Sequence, residues 1–176
     1  KNYPDPELVI SKYGADAVRL YMLNSPAVRA EDLRFSEKGV EHVLRQVLIP
    51  FWNSFVFLST YAKIYHWQPE KSQPPEALID RWILSMTQKL VRDVEAGMEA
   101  YDLNAAVGPF VGFVDQLTNW YIRRCRARFW ADDDSSDRRD AFATLYEVLL
   151  TLTKVSAPFI PFLSDAIYRE LRTEAM

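Results

Sequence analysis

The sequence predicts an all-α protein, a helical bundle preceded by a short helical leader. Apolar residues recur at three- and four-residue spacing through several long segments, which is the pattern of amphipathic helices, and no segment is a convincing strand. Only 5 of the 176 residues are glycine, which disfavours β-rich folds with many tight turns. A hydrophobic content of 49%, with 14% aromatic residues, predicts a folded core.

The leader is predicted to contain two helices and a connector, at residues 6–13, 15–23 and 26–35. Asp5 can cap the first helix with its carboxylate, and Pro6 suits the first helical position because no N–H is needed there. Gly14 is a typical C-terminal stop, since glycine readily adopts the backbone angles that end a helix. Residues 1–35 are therefore expected to be two short helices in series, followed by a connecting segment.

The bundle, residues 36–176, is predicted to contain helices at about 36–65, 78–98, 103–130 and 137–156 and a last one ending near Leu171. Pro50 lies inside the first of them and is expected to kink or split it, because its ring clashes with the carbonyl four residues earlier. Asp102 can cap the third helix, and Pro158 and Pro161 separate the last two. The predicted loops are polar stretches, at residues 66–75 and 132–136.

Charge and cysteine content limit the function classes. A net charge of −3 and a pI near 5.5 argue against a protein that coats nucleic acid through its overall charge, so any RNA binding must be local. Cys125 is the single cysteine, which predicts neither a disulfide framework nor a cysteine metal site. A reducing compartment, the cytoplasm, is the simple inference.

The first residues of the chain and its hydropathy predict neither a signal peptide nor a membrane span. The first residue is Lys1, not methionine, and no apolar stretch of a signal peptide follows it. No run approaches the roughly 18 consecutive apolar residues of a membrane span. We expect a segment of a longer protein, monomeric and without a membrane partner.

The most informative segment is residues 119–130, which holds four arginines within six positions and no acidic residue. The arginines, flanked by aromatic residues, are Arg123, Arg124, Arg126 and Arg128. Guanidinium groups suit phosphate, and aromatic rings suit stacking on bases, so one interpretation is an RNA-facing helix. The other is a helix end whose arginines pair with nearby carboxylates. The acids that follow the segment are Asp132, Asp133, Asp134 and Asp137.

Helical geometry divides the four arginines into two pairs. At about 100° per residue, Arg124 and Arg128 share the face of the apolar stripe that ends at Tyr121. They are therefore either buried ion-pair partners or part of a concave surface. Arg123 and Arg126 point elsewhere and are the better candidates for phosphate contact, while Tyr121 and Trp120 are expected to be mostly core.

No catalytic residue or metal site is predicted. His42 and His66 are isolated along the chain, and for each a surface or packing role is favoured over metal binding or general-base catalysis. The sequence has no glycine-rich phosphate loop, nucleophile elbow or His/Glu pair at metal-ligand spacing. Cys125 lies among arginines that could lower the pKa of its thiol, but an unreactive small residue on a helix is the simpler interpretation.

Four stretches, in order along most of the chain, resemble class I aminoacyl-tRNA synthetases. Residues 1–21, which include Lys-Asn-Tyr-Pro-Asp-Pro and Lys-Tyr-Gly-Ala-Asp-Ala-Val-Arg-Leu-Tyr, are similar to the segment after the signature loop of that class. Residues 24–35 (Asn-Ser-Pro-Ala-Val-Arg-Ala-Glu-Asp-Leu-Arg-Phe) resemble isoleucyl-tRNA synthetases of the eukaryotic-like type. Residues 50–55 (Pro-Phe-Trp-Asn-Ser-Phe) and 119–124 (Asn-Trp-Tyr-Ile-Arg-Arg) resemble the helical tRNA-binding region of the same enzymes.

The resemblance implies that residues 1–35 are the helical connection behind the signature loop and that 36–176 are an anticodon-binding bundle. These enzymes join isoleucine to its tRNA with ATP and magnesium, on a catalytic domain whose motifs this sequence lacks. The resemblance therefore implies no catalytic residue, cofactor or metal in this chain. The implied partners are isoleucine tRNA and the catalytic and editing domains of the same enzyme. The implied tRNA-binding residues are Arg123, Arg126, Arg124 and Arg128.

Two alternatives stay open. The chain could be the equivalent module of a valine or leucine synthetase. The Val-Arg-Ala-Glu-Asp-Leu-Arg-Phe stretch at 28–35 argues against this alternative, because it resembles isoleucyl-tRNA synthetases. It could also be a helical scaffold whose aromatic stripes bind protein partners. A scaffold would bind its partners with little dependence on salt and would not prefer tRNA.

Overall fold

The computed structural model describes residues 4–69, 74–131 and 135–173 of the chain. These ranges contain no strand, so the predicted all-α class is confirmed. Their α-helices are α1 Pro6–Tyr13, α2 Ala15–Leu23, α3 Glu37–Val43, α4 Ile49–Ile64, α5 Leu78–Glu99, α6 Leu103–Val107, α7 Pro109–Asp115, α8 Arg123–Phe129, α9 Ser136–Ser156 and α10 Pro161–Thr173. A 3-10 helix spans Pro26–Arg29, and π-helical turns span Leu44–Leu48 and Gln116–Ile122.

The two leader helices begin and end as predicted. The Asp5 carboxylate accepts a hydrogen bond from the backbone N–H of Glu7 at 3.0 Å, which satisfies one of the unpaired donors at the start of α1. Gly14 ends α1 with a φ of 85°, a backbone conformation that glycine adopts without a Cβ clash. The chain then turns directly into α2 at Ala15.

The leader is joined to the far end of the bundle through α2. The Asp16 carboxylate accepts hydrogen bonds from the backbone N–H groups of Leu163, at 2.7 Å, and Phe162, at 3.3 Å. Arg19 donates to the backbone carbonyl of Pro158 at 3.0 Å. Asp16 thus caps α10 from another helix, since the first N–H groups of a helix have no partner within it.

Pro50 does not split its helix. The chain stays helical from Glu37 to Ile64, a stretch of 28 residues, and the π-helical turns at Leu44–Leu48 lie immediately before the proline. A proline ring needs room beside the carbonyl four residues earlier, which here belongs to Gln46 within those turns. The wider hydrogen-bonded ring of a π turn supplies that room, so the helix continues.

The helix Glu37–Ile64 is also long and apolar enough to cross a membrane by length and composition, with a mean hydropathy of 1.2 in its most apolar window. In the structure 39% of that window is buried, and Val40, Phe51 and Leu58 are at most 2% exposed. These residues pack into the core of the bundle. The same composition is expected of a core helix in a globular bundle.

The bundle is organised around α9, which packs against α4, α5, α8 and α10. Phe142 and Leu145 of α9 are at most 1% exposed. Phe142 lies edge-on against Phe129 of α8 with ring centroids 5.0 Å apart, and Phe129 makes the same kind of contact with Phe57 of α4, also at 5.0 Å. Such edge-to-face aromatic pairs stabilise a core beyond the area they bury. They fix α8 against α4 and α9.

The third predicted helix, residues 103–130, is observed as one helical run from Leu103 to Phe129 with a turn at Gly108. Asp102 caps it, as expected: its carboxylate accepts a hydrogen bond from the N–H of Ala105 at 3.0 Å. The hydrogen bond holds the pKa of Asp102 below its ordinary value. The seven π-helical residues Gln116–Ile122 within this run were not predicted, and they decide which side chains of α8 face outward.

Candidate nucleic-acid interface

The arginine segment forms α8, and the π-helical turns before it change which residues face the core. A π turn takes in one residue more than an α turn, so the buried stripe continues from Tyr121 to Cys125 and not to Arg124. Cys125 is 1% exposed, whereas Arg124 is exposed. The predicted position of Arg124 on the core face was therefore wrong.

Arg128 lies against a buried carboxylate. Its Nη1 and Nη2 donate to the two carboxylate oxygens of Asp80 on α5, at 2.8 and 2.7 Å. Its Nε donates to the carboxylate of Asp137 on α9 at 2.9 Å. The Asp80 side chain is 0% exposed and that of Arg128 is 15% exposed. Of the alternatives that the sequence leaves open for Arg128, the structure places it as a buried ion-pair partner.

Tyr121 completes this network and Cys125 borders it. The Tyr121 hydroxyl donates to Asp80 at 2.7 Å, so three donors converge on one carboxylate. Burial, and then the negative charge of Asp80, raise the pKa of Tyr121 well above its ordinary value. Burial also raises the pKa of the Cys125 thiol, although Arg128 lies 3.6 Å from its sulfur. Cys125 is therefore a core thiol rather than a reactive thiolate.

The other three arginines of the segment, Arg123, Arg124 and Arg126, are exposed. The Arg124 guanidinium lies 4.6 Å from the centre of the Trp120 ring. That of Arg126 lies 5.5 Å from the Trp130 ring and 5.8 Å from the Phe57 ring. An aromatic face attracts the cation but accepts little from its N–H groups, so these groups stay available for an anion.

Acidic partners for the exposed arginines are absent from the described ranges, in which Arg123, Arg124 and Arg126 form no ion pair. Among the acids that follow the arginine segment in sequence, Asp137 pairs with Arg128 at 2.8 Å. The remaining candidates, Asp132, Asp133 and Asp134, lie outside the described residues. The exposed face of α8 is therefore cationic and backed by aromatic rings. Trp120, expected to be core, is 51% exposed on it.

Arg138, near the start of α9, lies beside the end of the α8 segment. Arg138 donates to the backbone carbonyl of Ala131 at 2.7 Å, which fixes it against the end of the α8 segment. Its guanidinium lies 4.5 Å from the centre of the Tyr65 ring. Sequence reasoning missed Arg138. The signal was its position two residues inside the start of α9, where a helix usually carries acids.

Sequence reasoning also missed Asp80, which no motif marks. The available signal was its place in the buried stripe of α5, where it precedes Ile83 and Thr87 by three and seven residues. An acid at such a position needs a cationic partner, because an unpaired buried charge is costly. His42 and His66 are both exposed, and the described residues contain no group of three His, Cys, Asp or Glu side chains that could hold a metal ion.

Comparison with known proteins identifies the family. Residues 80–176, more than half of the chain, match the family described as the anticodon-binding domain of tRNA ligases. The chain belongs to this anticodon-binding domain family. The matched region begins at Asp80, the third residue of α5, continues through α10 and includes the arginine segment.

A second family matches the beginning of the chain. Residues 1–34 match the family described as class I tRNA synthetases for I, L, M and V. This match covers the leader helices α1 and α2 and most of the connector that follows. The helix Glu37–Ile64 lies between the two matches.

Relatives of this anticodon-binding domain are named isoleucine–tRNA ligase. The isoleucine–tRNA ligase of Protochlamydia amoebophila is 63% identical to this chain over 174 residues. The enzymes with that name from Chlamydia trachomatis serovar L2 and Chlamydia muridarum are 57% and 56% identical over the same length. Each alignment covers 98% of this chain and 17% of the relative. The chain therefore spans about a sixth of the length of the curated relatives it matches. The resemblance to isoleucyl-tRNA synthetases is confirmed by these relatives.

A solved structure shares the fold of the chain. The LeuRS of Agrobacterium radiobacter K84, in a ternary complex with tRNA and LeuAMS, superposes with a TM-score of 0.66. The match covers 96% of this chain and 19% of the LeuRS, at 20% sequence identity. At that identity the likeness concerns the fold alone.

Proposed function

We propose that this anticodon-binding domain belongs to an isoleucine–tRNA ligase and holds isoleucine tRNA through the exposed face of α8. The observation that carries the proposal is the cationic, aromatic-backed face made by Arg123, Arg124 and Arg126 on a chain whose overall charge is −3. The relatives named isoleucine–tRNA ligase, up to 63% identical, support the choice of amino acid over valine or leucine.

The four arginines have different roles in this proposal. Arg123 and Arg126 contact phosphate, since both are exposed and form no ion pair within the described residues. Arg124 joins them from its position over Trp120. Arg128 holds α8 in place through Asp80 and Asp137 and acts on tRNA indirectly. Phosphate contacts would supply most of the affinity and make it depend steeply on salt.

The remaining parts of the proposal concern the longer protein. Residues 1–35 connect a catalytic domain to the bundle of residues 36–176, a division supported by the class I match at residues 1–34. The whole enzyme attaches isoleucine to its tRNA in the cytoplasm, as a monomer without a membrane partner. ATP and magnesium act in its catalytic domain, and the 176-residue chain contributes tRNA binding alone.

The test is a titration of the 176-residue chain with isoleucine tRNA and an unrelated tRNA at several salt concentrations. We expect binding that weakens steeply with salt and prefers isoleucine tRNA. The double variant Arg123→Gln with Arg126→Gln should weaken binding and lower the salt slope by about one for each phosphate that is no longer neutralised. A matched control, Arg34→Gln with Arg92→Gln, removes two exposed arginines elsewhere and should leave the slope close to that of the parent chain.

Three results would count against the proposal in different ways. Equal losses in the two double variants would mean that overall charge, and not α8, attracts the tRNA. Salt-sensitive binding without preference between tRNAs would limit the chain to holding the tRNA backbone. Binding of neither tRNA at low salt would favour the scaffold alternative, in which the arginines serve a protein partner.

A further inference from the structure

Helix α2 of the leader is held at both of its ends by side-chain contacts with the bundle. At its start, the Asp16 carboxylate accepts the first two backbone N–H groups of α10, at 3.3 and 2.7 Å. At its end, the side-chain amide of Asn104 on α6 donates to the backbone carbonyls of Leu23 and Ser25, at 3.3 Å each. We refer to these two contacts together as the α2 clamp. They join residues that are between 79 and 147 positions apart in sequence.

The α2 clamp pairs backbone groups that helices leave without partners. The first N–H groups and the last carbonyls of a helix lack partners within it. Asp16 serves two such N–H groups, and Asn104 serves the carbonyl of Leu23, the last residue of α2. Asp16 is 6% exposed, and between the two contacts Ala17 and Leu20 are buried in the core. A rotation of α2 on the bundle would therefore leave buried polar groups unpaired, which is costly.

The ion pair between α1 and α3 is weaker than the clamp. Lys12 pairs with Glu37 at 3.1 Å, and their side chains are 62% and 44% exposed. An exposed pair of this kind contributes little, because water screens it and two long side chains must be ordered. The orientation of the leader on the bundle therefore depends on α2 more than on this ion pair.

Both contacts of the α2 clamp reach elements that hold the arginine segment. Asn104 lies at the start of the helical run Leu103–Phe129, which ends in α8. Helix α10 packs against α9, and Asp137 of α9 pairs with Arg128. Over a helical run of roughly 40 Å, a rotation of about 10° at the clamp displaces α8 by about 7 Å. Small changes in the clamp are thus converted into large displacements of the exposed arginines.

We propose that Asp16 and Asn104 are positioning residues, which fix the angle between the leader and the cationic face of α8. This inference rests on the proposed tRNA-binding function. The leader matches the class I synthetase family at residues 1–34, so the clamp sets where the α8 face lies relative to the catalytic domain of the longer protein. One tRNA molecule has to reach both places at once, and binding at two sites is lost when the geometry forbids simultaneous contact.

The first test measures the angle in the 176-residue chain itself. Spin labels are attached at Ser11→Cys on α1 and Glu95→Cys on α5, two exposed positions, while the native Cys125 is buried. Double electron–electron resonance should give one narrow distance distribution in the parent chain. Asp16→Ala and Asn104→Ala should each broaden it under conditions in which the chain stays folded. The matched control is Asp165→Ala, which removes an exposed acid from α10 and should keep the parent distribution.

The second test measures function in the full-length enzyme that contains this chain. The probes are isoleucine tRNA and a minihelix made of its acceptor arm, which has no anticodon to be positioned. Asp16→Ala should lower kcat/KM for the whole tRNA about tenfold or more, as for a misplaced reactant, and leave the value for the minihelix unchanged. The ratio of the two values does not depend on how much of the enzyme is folded. Asp16→Asn keeps one acceptor and should recover part of the loss.

The outcomes separate this inference from the proposed function. An unchanged distance distribution in both clamp variants, or equal losses on the whole tRNA and the minihelix, would overturn the positioning role and leave tRNA binding standing. The 176-residue chain with Asp16→Ala should bind tRNA as tightly as its parent, and a weaker complex would overturn the inference by showing that Asp16 acts on the α8 face itself. Failure of the parent chain to bind tRNA at low salt would remove the proposed function and this inference together.

Discussion

Arg128 and Asp80 meet through two parallel hydrogen bonds, of 2.8 and 2.7 Å, although 48 residues separate them in sequence. Asp80 is buried and Arg128 is largely buried. The pair joins α8 to the start of α5, while Asp137 extends it to the start of α9. The α8 helix that carries the exposed arginines is thus fixed at its far end by one buried arginine. Within one segment, one arginine fixes the helix in place and the other three are exposed.

Removal of one member of this pair should destabilise the fold strongly. We expect Arg128→Met to lower the free energy of unfolding by about 3 kcal/mol or more, because it leaves the Asp80 charge buried without its cation. In a chain of this size that corresponds to a fall of roughly 6 °C or more in Tm. Denaturant titration measures the change in the free energy of unfolding. The double variant with Asp80→Leu should recover part of the loss, and a loss that stays additive would show that the two residues are not coupled.

Stability should also fall at alkaline pH through Tyr121 and Cys125. Burial raises the pKa of both groups, so each keeps its proton in the folded state to a higher pH than in the unfolded chain. Above about pH 9, near the ordinary values of 9.0 for cysteine and 10.0 for tyrosine, the unfolded chain binds fewer protons than the folded one. Stability is therefore full below that pH and decreases as the pH rises.

Denaturant titrations between neutral and alkaline pH test this expectation. Tyr121→Phe and Cys125→Ala should each reduce the slope of stability against pH, independently of their effect at neutral pH. Tyr101→Phe is the control, because Tyr101 is 94% exposed and its variant should keep the parent slope. Identical slopes in all variants would mean that other groups cause the alkaline loss.

The contact between Asp16 and the start of α10 should be measurable as local stability. Asp16→Ala leaves the N–H groups of Phe162 and Leu163 without their acceptor, and we expect a loss of about 1–2 kcal/mol, the size of a helix cap. Hydrogen exchange of the amides of α10 should accelerate more than that of α5. Uniform acceleration over both helices would indicate global destabilisation and no specific role for Asp16 in capping α10.

Two glycines in helices should respond to alanine in opposite directions. A Cβ on Gly97 would lie 2.5 Å from the backbone nitrogen of Ala106, so Gly97→Ala should separate α5 from α6 and cost about 1–3 kcal/mol. A Cβ on Gly112 would meet no atom within 4 Å beyond the backbone of its own helix and its two chain neighbours. Gly112→Ala should therefore stabilise α7 by about 0.5–1 kcal/mol. Thermal melts of the two variants compare them directly, and shifts of the same sign would contradict the packing described for Gly97.

Much of the local structure was predictable because the signals for it are local. The bounds of α1 and α2 follow from Asp5, Pro6 and Gly14, whose effects reach a few residues along the chain. The position of α5 follows from its apolar stripe for the same reason. The exposure of Arg123 and Arg126 was also predicted, since it depends on the residues beside them more than on other helices.

The orientation of the arginines could not be derived in the same way. An α-helix of constant pitch places Arg124 on the core face, but the π-helical turns at Gln116–Ile122 move Cys125 there and turn Arg124 outward. Nothing local marks these turns. They are compatible with the aromatic contacts of Phe129 with Phe57 and Phe142, which bring together three separate helices.

The sequence by itself determined the all-α class, the helix ends and the presence of a local cation cluster, because capping, periodicity and charge act between residues close along the chain. The tertiary structure decided which arginine is buried and which are free to meet an anion. That choice depends on the π-helical turns at Gln116–Ile122 and on the pairing of Asp80 with Arg128, which are 48 residues apart in sequence. Their proximity arises from packing of the helices, and no short stretch of the chain encodes it.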